Sequence, residues 1–298
     1  EQIISVHGSI NEASCEGCGH DVEDFEEFLE QAQLRGIKVV IDLVLNHTSN
    51  QHPWFTQSAN NQNNFRDWYI WADNNQGLSG PWGQNTWHYN QGNYYYGLFW
   101  SGMPDLNYEH PSVKQEMKNI ANFWLNKGVD GFRLDAIKYL IEEGSNLENT
   151  PANFSLIEEL NEVYKYTSPE SFTIGEAWSN TNSIIPYVKS GRLDACFDFD
   201  LASDIINAVN SASSLSLTAQ IQTIVESYPA LQYGTFLTNH DMDRVYNQLG
   251  YNNEKMKLAA SIYLTLPGIP FIYYGEEIGM YGSGAHENIR RPMQWSSS

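Results

Sequence analysis

The chain has 298 residues, 36 acidic against 16 basic side chains, a formal net charge of −20, and 41 % hydrophobic and 13 % aromatic residues. That length suits one large domain or two small ones, long enough for a barrel of roughly 250 residues, and the apolar content excludes whole-chain disorder. The charge argues against nucleic acid, which needs a positive surface, and against anionic membranes.

No basic and apolar leader precedes the first elements, so no signal peptide is expected. The most apolar stretch, Leu258 to Gly275, is interrupted by Pro267, Gly268 and Pro270. It is too broken for a spanning helix, and no membrane insertion is expected. Ile3 to Val6 reads as a strand. Cys15-Glu-Gly-Cys18 has the spacing of a metal or redox half-site, but no second Cys/His pair completes four zinc ligands. An incidental turn is the favoured account.

From Asp21 onward helical and strand-like segments alternate. Phe25, Phe28, Leu29 and Ala32 mark an amphipathic helix ending at Gly36. Val39 to Leu45, broken only by Asp42, reads as a strand buried on both faces. Residues 48 to 110 have no clear period and carry Trp54, Trp68, Trp71, Trp82, Trp87 and Trp100. A loop of that length is unusual in a compact domain, so it reads as an inserted subdomain. Its aromatics suit both a small core and a sugar-stacking wall.

Ser112 and Gln115 predict a capping box for a helix ending at Gly128. Strands are predicted at Gly131–Asp135, Phe172–Glu176, Ala195–Phe199, Thr235–Thr238 and Ile269–Tyr274, with helices such as Leu156–Tyr166 and Asn252–Leu266 between them. Repeated βα units indicate a parallel α/β fold. No glycine-rich phosphate loop follows a strand, which favours a barrel over a nucleotide-binding sheet.

Asp42, Asp135, Glu176 and Asp241 each fall at or near the C-terminal end of a predicted strand, with Arg133, His47 and His240 beside them. In a barrel those ends converge on one mouth, where catalytic groups are found. A single acid there is ordinarily a helix cap or a turn residue; several together are not so easily explained. Clustered carboxylates suit glycosidic bond cleavage, in which one acid protonates the leaving oxygen and another attacks the anomeric carbon. An arginine beside the attacking carboxylate keeps it ionised. Sugars are neutral, so the charge of −20 is no obstacle.

These segments resemble, in order and spacing, the alpha-amylase family, glycoside hydrolase family 13. Asp42-Leu-Val-Leu-Asn46-His47 is similar to its third-strand motif and Gly131-Phe-Arg133-Leu-Asp135 to its fourth. Gly175-Glu176-Ala-Trp178 resembles the fifth, Phe236-Leu-Thr-Asn239-His240-Asp241 the seventh, and Gly268-Ile-Pro270 through Glu276 the eighth. The resemblance implies a retaining mechanism with Asp135 as nucleophile, Glu176 as acid and base, and Asp241 as transition-state stabiliser. It also implies that Arg133 orients Asp135 and that Arg133, Asp42, His47, His240, Lys138 and Trp178 fall at substrate-binding positions. Asn46 matches a position that binds a structural calcium in many members.

Met103-Pro-Asp-Leu-Asn107 resembles an intermediate group between oligo-1,6-glucosidases and neopullulanases that contains several alpha-amylases. Lys138 is amylase-like, whereas His52-Pro-Trp-Phe55 and Arg66-Asp-Trp-Tyr69 resemble oligo-glucosidases. The resemblance therefore implies an endo-acting alpha-1,4 hydrolase acting on starch or maltooligosaccharides. The alternatives are an exo-acting oligo-1,6-glucosidase or transglycosylase, and an inactive carbohydrate-binding fragment. Starch-sized substrates favour an extracellular or periplasmic location over a cytoplasmic one. The oligomeric state is not legible.

The expected fold is a (β/α)8 TIM-type barrel. Residues 1–47 and 111–298 form the barrel and 48–110 the insertion. The first two strands of the family pattern have no counterpart upstream of Asp21, and the C-terminal β-sandwich is absent, so a fragment or a reduced member is expected.

Overall fold

The computed structural model describes the backbone of residues 2–6 and, with side chains, residues 22–296; the Cys15–Cys18 pair lies outside them. Two compact units are present, Glu1–Ala177 with Gly191–Leu193, and Trp178–Ser190 with Asp194–Ser298.

The first unit begins with β1 (Gln2–Val6), α1 (Val22–Gln33) and β2 (Ile37–Leu43). β1 runs parallel to β2, with Gln2 opposite Ile37 and Val6 opposite Ile41, so the strand read at Ile3 to Val6 is present. Of the predicted α1 stripe, Leu29 and Ala32 are buried and Phe25 is half-buried, whereas Phe28 is exposed. Val39, Val40, Ile41 and Leu43 of β2 are buried, as a strand covered on both faces requires.

The insertion has secondary structure of its own, where the sequence shows no period. α2 (Pro53–Ala59) is followed by β3 (Trp71–Ala72), β4 (Trp87–Asn90) and β5 (Asn93–Tyr96). These strands form an antiparallel sheet with β5 in the centre. Phe55 packs against Tyr69, Trp71 and Tyr95 with ring centroids 5.1, 5.8 and 4.8 Å away. Those aromatics are a core, while Trp82 and Trp100 are exposed.

α3 (Pro111–Asn126) starts differently from the predicted capping box. Pro111 occupies the first helical position, where its fixed φ and missing N–H cost nothing, so the cap falls to His110. Its Nδ1 accepts from the Ser112 N–H at 3.2 Å, and Gln115 instead donates to Asn119. β6 (Gly131–Leu134), α4 (Pro151–Thr167) and β7 (Phe172–Gly175) complete the unit. β2, β6 and β7 are parallel neighbours in that order.

In the second unit α5 (Thr181–Val188) and β8 (Ala195–Phe197) lead into α6 (Phe199–Ser211) and α7 (Leu215–Ser227). β9 (Tyr233–Thr235), α8 (Val245–Gln248), α9 (Asn253–Thr265), β10 (Ile269–Pro270) and α10 (His286–Ile289) follow. β8, β9 and β10 are parallel neighbours. β9 begins and ends earlier than predicted, and β10 has only two residues. Pro270 cannot donate to a ladder, and Gly275, at φ +85°, turns the chain soon after. Cys196 of β8 is buried, and Phe199, Ala202 and Phe236 form a buried cluster. Among the described residues no helix is long and apolar enough to cross a membrane.

One glycine sets the spacing of β6 and β7. A Cβ on Gly131 would lie 1.9 Å from the Phe172 carbonyl oxygen. Gly131→Ala should therefore cost about 2–3 kcal/mol, as overpacking does, and lower Tm by roughly 4–10 °C in a domain of this size. An unchanged thermal melt would show that the strands separate freely at this point.

Candidate active site

Strand register assembles the first unit's site. Asp42 of β2 and Arg133 of β6 are directly opposed, as are Arg133 and Ile174 of β7. Side chains two residues apart share a face, so Asp135 and Glu176 lie one step further along, on the face that carries Arg133. The backbone holds those last residues in line: Glu176 N–H donates to the Leu134 carbonyl at 2.9 Å and Asp135 N–H to the Leu43 carbonyl at 3.3 Å. Immediately after Asp135, Ala136 adopts a left-handed conformation, φ +49°. This is an uncommon conformation for a residue with a Cβ, and such strain gathers at functional sites.

Arg133 is the hub and is only 3 % exposed. Its Nη1 donates to Asp42 Oδ1 and Oδ2 at 2.7 and 2.9 Å and to Asp135 Oδ1 at 2.7 Å. Its Nη2 donates to Glu176 Oε2. Burial by itself would ease the guanidinium toward neutrality, but Glu176, Asp135 and Asp42 outweigh it and hold the charge more firmly than usual. Three carboxylates and one fixed cation leave the cluster negative.

His47 stands beside this cluster. Burial lowers its pKa, against the upward pull of Asp135 and Asp42, which favours the neutral ring. Its Nδ1 meets Asn46 Oδ1 at 3.0 Å, and the ring packs edge-on to Phe99. Lys138 is buried, pairs with Glu148 at 2.8 Å and lies over the Tyr139 ring.

Asn46 is fully enclosed. Its Nδ2 donates to the Tyr139 carbonyl at 2.7 Å and to Asp105 Oδ2 at 3.3 Å. Asp105 also accepts from the Leu98 N–H. Burial, and then neighbouring Glu142, push the Asp105 carboxyl well above the usual range. Turned over, Asn46 would present oxygen to Asp105 and Tyr139, and the His47 nitrogen would accept. Three oxygens would then meet, a donor set that fits calcium and suits no thiophilic metal. Among the described residues no group of three or more His, Cys, Asp or Glu is placed to hold a metal ion. Asp105, the centre of the Met103–Asn107 motif, and the Tyr139 carbonyl had no signal marking them as neighbours of Asn46.

The second unit carries Asp241, His240 and Trp178. Asp241 Oδ2 faces His240 Nε2 at 3.1 Å, and its Oδ1 accepts from Arg290 Nη2 at 2.6 Å. The Asp241 N–H donates to Asn239 Oδ1. Trp178 stacks on Phe199 with centroids 4.5 Å apart and remains 49 % exposed. Beneath the loop, Thr238 Oγ1 donates to Glu276 Oε1 at 2.6 Å. Arg290 and Glu276 were not singled out by the sequence, since each depends on a contact across many residues.

Comparison with known proteins decides the family. The family model "Alpha amylase, catalytic domain" matches residues 19–298. The chain belongs to the alpha-amylase family. It is 42 % identical over 280 residues to Alpha-amylase 3 of Dictyoglomus thermophilum, covering 92 % of this chain and 54 % of that protein. A 4-alpha-glucanotransferase of Thermotoga maritima is 33 % identical, with 92 % and 61 % covered. The crystal structure of an alpha-amylase from H. orenii superposes with a TM-score of 0.82 at 41 % identity, covering 92 % of this chain and 57 % of that one. The chain thus spans a little over half the length of these relatives. Membership gives the fold class: the repeated parallel strands and helices are those of the family's barrel domain.

Burial raises the Glu276 carboxyl to about 7, above its ordinary 4.5. A raised folded-state value means that this group's stabilisation is full below about 4.5 and is lost as pH rises through about 7. Glu276→Gln should therefore flatten the fall in Tm between pH 5 and pH 8. An equally steep fall in the variant would place its origin elsewhere.

Proposed function

We propose that the protein is a retaining glycoside hydrolase that cleaves alpha-1,4-glucosidic bonds of starch or maltooligosaccharides. The observation that carries this reading is a buried guanidinium shared by Asp135 and Glu176. Carboxylates on one guanidinium sit close together, and close spacing, roughly 5–5.5 Å, marks a retaining site. Asp135 attacks the anomeric carbon while Glu176 gives its proton to the departing oxygen, leaving a glycosyl ester on Asp135. Glu176 then takes a proton from water as the water attacks the anomeric carbon, and Asp135 leaves. The contact with Arg133 suits Glu176 as the base; its acid role requires that contact to loosen when substrate binds.

Asp241 is assigned to the sugar hydroxyls and to the positive charge that develops at the transition state, with His240, His47, Lys138 and Trp178 binding substrate. Neutral His47 adds no positive charge beside a developing oxocarbenium ion. Asn46, Asp105 and the Tyr139 carbonyl would hold a calcium ion, whose chemistry is structural: it would compensate the buried Asp105 charge. A polymeric substrate favours action outside the cytoplasm.

A second reading, transfer of the glycosyl group to a sugar acceptor, is supported by the Thermotoga relative named as a 4-alpha-glucanotransferase. The product profile separates the readings. Maltoheptaose should be cut internally and isomaltose left intact, with Asp135→Asn slowing turnover at least about 1,000-fold, the scale seen when a nucleophile is lost. Products longer than maltoheptaose would favour the transferase, and glucose from isomaltose an oligo-1,6-glucosidase. Glucan binding without products from the wild-type chain would contradict the enzyme reading.

A further inference from the structure

Asp241 is held from behind by a network that the proposed reaction does not employ. While His240 faces one oxygen of Asp241, Arg290 takes the other, and the Arg290 Nε donates to the His240 carbonyl at 2.9 Å. One planar guanidinium therefore grips both the carboxylate and the backbone beside it, a double contact that a lysine cannot reproduce. Arg290 is 44 % exposed and Asp241 34 %. A pair so exposed adds little to stability. Its consequence is geometric.

Arg290 is in turn fixed by a buried residue. Arg244 is fully enclosed. Its Nε donates to the Ile289 carbonyl at 2.9 Å and its Nη1 to the Tyr274 carbonyl at 2.7 Å. The guanidinium lies over the rings of Tyr273 and Tyr274, 4.5 and 4.7 Å from their centroids. Those tyrosines hold the same segment: Tyr273 Oη donates to the Ile289 carbonyl at 3.0 Å and Tyr274 Oη to the Arg291 carbonyl at 2.6 Å. The carbonyls on either side of Arg290 are thus tied down. The Arg244 N–H also donates to the Gly282 carbonyl, joining the loop that bears Asp241 to the segment that bears Arg290. Enclosing a guanidinium is costly when its donors are not all used, and Arg244 Nη2 has no hydrogen-bond partner among the described residues. Packing alone does not call for a charge at this position.

We propose that Arg290 and Arg244 are positioning residues for Asp241. Arg290 sets the direction of the carboxylate, and Arg244, through the Ile289 carbonyl and the two tyrosines, sets Arg290. The catalytic consequence rests on the glycosidase reading, in which Asp241 acts at the transition state; the positional claim does not. An interaction that matters only at the transition state appears in kcat rather than KM.

The test uses the full chain with Arg290→Gln, Arg290→Lys and Arg244→Lys. Arg290→Gln should lower kcat on maltoheptaose about 10- to 100-fold, the scale of one charge-assisted hydrogen bond, with KM changed by less than about threefold. Arg290→Lys should fall between it and the wild type. Separately, the carboxyl-carbon resonance of Asp241, assigned with Asp241→Asn, should move in Arg290→Gln. The exposed Arg290 variants report on the proposal even if Arg244→Lys does not fold; a folded Arg244→Lys should move the same resonance. An unmoved resonance in Arg290→Gln, or a loss confined to KM, would overturn the proposal. A resonance that moves in a chain with no glycosidase activity would support the positional claim and count against the glycosidase reading instead.

Discussion

Three carboxylates, on three neighbouring strands, meet one buried guanidinium, and the first unit's site is organised around that imbalance. Asp42, Asp135 and Glu176 all contact Arg133. Like charges this close repel strongly where water is excluded, and removing the arginine would leave them uncompensated, which in buried pairs costs about 3–5 kcal/mol. The single cation does not neutralise them. A site that stays negative is suited to a positive charge that appears on the substrate only at the transition state, where fixed charges contribute most. Burial, which lowers the His47 pKa against the pull of Asp135 and Asp42, favours the same sign.

The backbone makes the cluster available. Parallel pairing sets Asp42 beside Arg133, and the two-residue repeat of the strands carries Asp135 and Glu176 onto the same face. The close approach at Gly131 keeps β6 and β7 in contact, and the left-handed turn at Ala136 ends β6 directly beyond Asp135. The second unit repeats the device with longer-range partners. There Asp241 is held by His240 and Arg290, and the carbonyls flanking Arg290 are held by Arg244, Tyr273 and Tyr274.

Features set by local pattern were legible in the sequence. The apolar run of β2 and the acids Asp42, Asp135 and Glu176 at or directly beyond strand ends appear where the period places them, whereas Phe28 of the α1 stripe is exposed and Asp241 lies in the loop beyond the shortened β9. The strands within residues 48–110 were not legible, because two to four residues are too few to show a period. The α3 cap was misread because a proline at the first helical turn outweighs a Ser/Gln spacing. Asp105 beside Asn46, Glu276 under Thr238 and Arg290 on Asp241 were not legible at all. Each is a pairing of residues some 38 to 59 positions apart, and no local signal announces such a contact.

On the proposed mechanism Asp135, held by Arg133, is the residue that bonds to the sugar. This is tested most directly by intact-mass and peptide mass spectrometry of Glu176→Gln after incubation with an alpha-glucosyl fluoride, whose leaving group needs no acid. One added glycosyl group is expected, carried by the peptide that contains Asp135. A glycosyl group on any other residue, or turnover of the fluoride with no covalent adduct and inverted product, would contradict it.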